Sequence, residues 1–147
     1  MPKPLSIKIS GLDQTLSNLK KSVDKIKLEI DAEMGASVEL MATNSKQKLP
    51  AQYGALRSSI SARKIADFKY MLSANKDYAP YIEFGTGDYA AKYVPTLEKE
   101  WQKLAEQYIK TKNGTTPKSP YFYPSVTEGY KWLLTKIKNI LDRDERL

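Results

Sequence analysis

The sequence predicts an α+β fold: a small antiparallel β-sheet with a long N-terminal helix, a second helix and a C-terminal helix packed around it. Three observations predict it. Apolar residues alternate with polar ones over Leu5–Ile9 and again between Ile60 and Ala74, which is the period of a half-covered strand. Between those segments the spacing changes to steps of three and four, the period of one helix face. Two later segments, each with a proline near its start, return to the helical period.

The first strand is Leu5, Ile7 and Ile9 interleaved with Ser6, Lys8 and Ser10, closed by Gly11. From Leu12 the apolar stripe runs through Leu16, Leu19, Val23, Ile26, Ile30, Met34, Val38 and Met41. Asp13 or Ser10 suits its start, and Leu49-Pro50 ends it, because the residue before a proline avoids the helical region. Gly35 is the expected place for a break or bend. Such a helix is longer than one domain needs, so its stripe is expected to serve either the core or a neighbouring subunit as well. Leu49–Gly54 reads as a loop. Ile60 and Ala62, then Phe68, Tyr70, Leu72 and Ala74, read as a hairpin turning near Ala66-Asp67. Arg57, Arg63, Lys64, Lys69 and Lys76 gather in this region against Asp67 alone. They suit either the wet face of a sheet or a surface turned toward nucleic acid.

Pro95 suits the first residue of the next helix, with Leu97, Trp101, Leu104 and Tyr108 on one face and Asn113-Gly114 as its stop. Thr115–Pro120 reads as an extended loop. Pro124 then opens a C-terminal helix with the stripe Val126, Tyr130, Leu134, Ile137 and Leu141, and a solvated tail of mixed charge follows.

The chain has 147 residues, the length of a single domain over 1–147. It contains no cysteine and no histidine, which removes disulfides, thiolate and imidazole metal sites and Ser-His or Cys-His catalysis together. No cofactor motif is present and no segment approaches the roughly 20 apolar residues of a membrane span. The expectation is a cytoplasmic protein, not an enzyme, with no cofactor and no metal. Its formal charge of +7 favours an anionic neighbour.

The stretch Tyr78-Ala79-Pro80-Tyr81-Ile82-Glu83-Phe84-Gly85-Thr86-Gly87 keeps neither period. A phosphate cradle would need a Gly-Lys-Ser/Thr or a third glycine leading into a helix, whereas Asp88-Tyr89-Ala90-Ala91 follows. Glu83 has no partner carboxylate in sequence, so its expected role is an ion pair or bonds to backbone amides. Glycine-permitted bends flanked by aromatics suit an interface or a tightly packed loop, and the sequence leaves both open.

Taken with two further segments, this stretch resembles the tail-completion or neck proteins of long-tailed bacteriophages, the group typified by gene product ten of Hong Kong phage ninety-seven. The segments are Leu49–Ile60, carrying Pro50, Gly54, Leu56, Arg57, Ser59 and Ile60, and Pro120-Tyr121-Phe122-Tyr123-Pro124. Gln52-Tyr53 and Tyr121 depart from the family pattern, and Asp88–Thr116, with its own helix, looks like an insertion. The resemblance implies a structural virion protein, made in the host cytoplasm, that assembles as a homo-oligomeric, hexameric ring at the head-to-tail junction. There it would complete the tail tube and meet the tail-tube protein and the head connector or stopper, with transient contact to passing DNA. It implies subunit or partner contacts at Tyr78, Tyr81, Glu83, Phe84, Gly85, Thr86, Gly87, Pro120, Tyr121, Phe122 and Pro124, and a DNA-facing lumen at Arg57, Arg63, Lys64 and Lys69. The competing reading is a cytoplasmic non-specific nucleic-acid-binding module using the basic hairpin.

Overall fold

The computed structural model describes residues 4–10, 24–109 and 117–144. Three strands, β1 (Leu5–Ile9), β2 (Ile60–Ala66) and β3 (Lys69–Ala74), form an antiparallel sheet in the order β1-β3-β2. Leu5 lies opposite Ala74 and Ile9 opposite Tyr70 on one side of β3, and Ile60 opposite Ala74 and Lys64 opposite Tyr70 on the other. This register puts Leu5, Ile9, Ile60, Tyr70, Leu72 and Ala74 on one buried face.

That face is covered by α1 (Asp24–Lys48) and α6 (Phe122–Asp144), with Met34, Val38, Met41, Val126 and Leu133 in the same core. Lys48 pairs with Glu128 at one end of the two helices, and Arg143 pairs with Glu29 at the other, so the helices run antiparallel. The helical stripe from Ile30 to Met41 is buried as the spacing predicts. Leu12, Leu16, Leu19 and Val23 lie outside the described residues, as do Asn113, Gly114, Thr115 and Thr116. α1 passes Gly35 unbroken, so the expected break is not there. A Cβ there would stand 3.3 Å from the Tyr70 ring, so this glycine makes room for a side chain. Gly129 on α6 does the same for Met41, which a Cβ would meet at 2.4 Å.

Three other expectations are corrected. The segment after Pro50 is not all loop: a 3₁₀ turn at Ala51–Tyr53 leads into α2 (Gly54–Ser59). The hairpin turns at Asp67-Phe68, with Phe68 at φ 58°, and not at Ala66-Asp67. Its amide donates to Asp31 Oδ1 at 3.0 Å, which holds the bulky residue in this rarely used conformation. The stripe read on α6 is also rotated. Tyr130, Leu134 and Leu141 are exposed, while Phe122, Val126, Leu133 and Ile140 are buried. α6 carries apolar residues over a broad arc, and close approach to α1 at Gly129 selects the flank that faces inward.

The stretch 78–109 forms α3 (Ala79–Phe84), α4 (Gly87–Tyr93), a 3₁₀ turn at Val94–Thr96 and α5 (Lys99–Ile109). Pro95 sits in that turn, four residues before α5 begins, and not at the helix start. Phe84, Ala90, Tyr93, Val94, Leu97 and Ala105 make a second small core, against which Tyr81, Trp101 and Tyr123 pack. Leu104, expected on the buried face, is exposed, and Ala105 takes its place inside.

Candidate functional site

The two motifs at Tyr78–Gly87 and Pro120–Pro124 come together around one buried carboxylate. α6 begins at Phe122 without a Ser, Thr, Asp or Asn before it to accept its first amides. Glu83 supplies the acceptor from α3. Its Oε2 takes the amides of Tyr121 at 2.7 Å and Phe122 at 2.8 Å, and its Oε1 takes the amide of Tyr123 at 3.0 Å and the Tyr93 hydroxyl at 3.3 Å. The next residue, Pro124, has no amide to satisfy. The opening donors of a 23-residue helix are thus all accounted for by one side chain and one proline.

Further bonds hold the two motifs in place. Ser119 donates its amide to Ile82 O at 2.8 Å, and the Tyr121 hydroxyl donates to Ala79 O at 3.0 Å. Trp101 of α5 meets the Tyr123 ring edge-on at 4.9 Å. α3 ends at Gly85, whose φ of 71° lies where a Cβ is strained and whose amide donates to Tyr81 O at 2.9 Å. Gly87, at φ 54°, opens α4. The glycines therefore serve the reversal between two short helices, which periodicity could not show because neither helix completes two turns.

Burial pushes the Glu83 carboxyl above its ordinary range, while the three amides and the Tyr93 hydroxyl oppose that shift. The positive end of the α6 dipole acts in the same sense as the amides. Burial, and then the neighbouring Glu83 charge, push the Tyr93 and Tyr121 phenols far above their usual range, so both remain hydrogen-bond donors. Glu83 is fully buried and its two oxygens face donors only. That arrangement clamps two chain segments. It offers neither a reachable proton acceptor nor a partner carboxylate for acid–base chemistry. Among the described residues, no group of three or more acidic side chains, His or Cys is placed to hold a metal, and no helix is long and apolar enough to cross a membrane.

Of the residues singled out for partner contact, Glu83, Phe84, Gly85, Thr86, Tyr121 and Phe122 are buried within the subunit. Tyr78 is exposed, and Tyr81, Gly87, Pro120 and Pro124 are half-buried. Tyr93 and Tyr123 were not singled out by the sequence. The one signal for them is the missing helix cap at Tyr121, which requires an acceptor from elsewhere.

The four basic residues part company. Arg57 lies on α2, where its Nε donates to Lys46 O at 3.1 Å and its Nη2 donates to Leu49 O at 2.9 Å and Pro50 O at 3.2 Å, tying off the end of α1. Lys64 points to the helix side and pairs with Asp31 at 2.6 Å and Asp67 at 3.4 Å. Arg63 and Lys69 stand on the opposite face of the sheet.

A family model described as "Bacteriophage HK97-gp10, putative tail-component" matches residues 10–85, just over half of the chain. The match ends within the Gly85-Thr86-Gly87 reversal, where the second small core begins. No curated protein matches the chain, and no solved structure matches it.

Proposed function

Since the chain belongs to the HK97-gp10-like family of bacteriophage tail components, we propose that this structural tail protein forms a ring, of six copies, at the head-to-tail junction, where it completes the tail tube and joins it to the head connector. The observation that carries the ring is apolar surface left to water on one flank of the subunit. Tyr130 and Leu134 of α6, the latter 55 % exposed, border an open groove of about 480 Å³ between α6, β1 and α5. Leu104 of α5 stands exposed beside it at the β1 edge. A subunit that displays this flank gains by covering it against another copy. In a closed ring the contact is head-to-tail, so the flank meets a different surface of its neighbour.

Tyr78, Tyr81, Gly87, Pro120 and Pro124 are the motif positions that reach the surface and complete the proposed contact. The buried Glu83, Phe84, Gly85, Thr86, Tyr121 and Phe122 support it from beneath by fixing where those residues stand. The protein would act in the virion, after assembly in the host cytoplasm, beside the tail-tube and connector proteins. The Asp88–Thr116 segment is proposed as an insertion built on the Phe84 cluster, and it supplies Trp101 and Leu104 to the flank.

Leu134→Glu tests the ring, because the substitution puts a charge on an exposed position that the monomer does not need. The expected result is an unchanged melting temperature, with loss of oligomers by native mass spectrometry and loss of head-to-tail joining when virions are complemented with the variant. Normal joining and normal oligomers would remove this flank from the interface.

A further inference from the structure

The sheet has one covered face and one bare face, and the bare face sorts its charges. Ser6, Ser73 and Ser61 line up in register across β1, β3 and β2, and the adjacent row is Lys8, Met71 and Arg63. Lys69 follows on the same side of β3. Met71 and Ser73 belong to the central strand and are nevertheless only half-buried, so no described element lies over them. The three strands contain no acidic residue, and the acidic neighbours Glu98 and Glu100 stand only at the β1 edge, where they share a groove with Lys8. Among the described residues Lys8, Arg63 and Lys69 form no ion pair, whereas Lys64, on the covered face, is matched by Asp31 and Asp67.

We infer that this bare face, through Lys8, Arg63 and Lys69 with the serine row beside them, is a contact surface for the phosphate backbone of duplex DNA. Strands lie about 4.8 Å apart and residues of one face about 7 Å apart along a strand, so the three cations spread over a patch roughly 10 Å across. Long flexible cations and short hydroxyls on a flat surface contact phosphates without reading bases. No aromatic side chain lies on this face, and bases of a single strand would find no platform to stack on. An acidic peptide is better held in a groove, by a guanidinium fork set in fixed geometry. Among the described residues the only guanidinium on this face is that of Arg63, which stands exposed with its Nη2 3.9 Å from Met71 Sδ.

Such a surface holds DNA weakly and releases it with salt. Three phosphate contacts give a log–log dependence of affinity on salt with a slope of about −3. This surface is present on each isolated subunit, and of its three cations only Lys8 also borders the groove of the proposed ring contact.

The test is fluorescence anisotropy of the full chain with a short random-sequence duplex over a salt series. The expected result is binding at low salt with that slope. The Lys8→Gln/Arg63→Gln/Lys69→Gln variant, unchanged in melting, should lose about tenfold or more in affinity and most of the slope. Arg57→Ala and Lys64→Gln, checked to be folded under the assay conditions, should bind as the parent does. Parent-like binding by the triple variant would overturn the inference. So would equal weakening by Arg57→Ala or Lys64→Gln, or tighter binding to polyglutamate or single-stranded DNA than to the duplex.

Discussion

The Glu83 carboxylate accepts the Tyr121 amide at 2.7 Å across 38 residues of chain, and through it α3 caps α6. Glu83→Ala leaves the buried amides of Tyr121 and Phe122 and the half-buried amide of Tyr123 without their acceptor, and each unsatisfied buried donor costs about 1–3 kcal/mol. The expected loss of stability is about 3 kcal/mol or more. Glu83→Gln keeps one accepting oxygen and turns an NH₂ toward donors, for a loss of about 2 kcal/mol. Amide exchange at Tyr121, Phe122 and Tyr123 should accelerate before that of Met34 to Met41 in α1. Unchanged melting together with retained protection at those three amides would show that the carboxylate is not what caps the helix.

Met41 and Gly129 give a second prediction, because their contact sets the separation of α1 and α6. An added Cβ at 129 would meet Met41 Cγ at 2.4 Å and Cε at 2.7 Å. Gly129→Ala should therefore cost about 1–3 kcal/mol by overpacking, despite alanine's higher helix propensity. Met41→Ala opens a cavity and is destabilising by itself, yet in the double variant the new methyl occupies part of the vacated space. The two losses measured by urea denaturation should then sum to more than the loss of the pair. Simple additivity would mean that the helices shift apart without using the shared space.

The strand segments and the inner stripe of α1 were legible in the sequence, because one buried face imposes a period of two or 3.6 that survives in the residue pattern, whereas the pairing of β1 with β3 and its register were not. The helices α3 and α4 were not legible. Each is too short for a period to accumulate, and they are held by Glu83, Gly85 and Gly87, whose partners lie far along the chain or in their own backbone. The rotation of the α6 stripe was hidden for another reason. Val126, Tyr130, Leu134, Ile137 and Leu141 form a regular stripe, and so do Val126, Leu133 and Ile140; the glycine at 129, meeting a methionine 88 positions earlier, favours the second. For the basic residues the sequence supplied the charges without their partners. Arg57 is committed to three carbonyls and Lys64 to two carboxylates, and neither commitment follows from spacing.

The Asp31 carboxylate gives the pH prediction. It accepts the Phe68 amide at 3.0 Å and the Tyr70 hydroxyl at 3.1 Å, and pairs with Lys64 at 2.6 Å. Burial pushes its carboxyl up, but the Lys64, Phe68 and Tyr70 bonds outweigh that and hold it below the unperturbed value of 3.8. A carboxyl that ionises more readily when folded adds stability that is fully present above its unfolded pKa and is lost as pH falls through the lower, folded value. Lys64 is shifted upward, chiefly by its bond to Asp31, so it stays charged throughout that window. Asp31→Asn retains the oxygen that accepts from Phe68 and Tyr70, and removes the charge together with the Oδ2 that accepts from Lys64. The melting difference between parent and variant should be constant above about pH 5 and shrink as the pH drops below 3.8. A difference that stays constant into strong acid would mean that the variant's loss comes from packing at the hairpin turn and not from the ionised carboxylate.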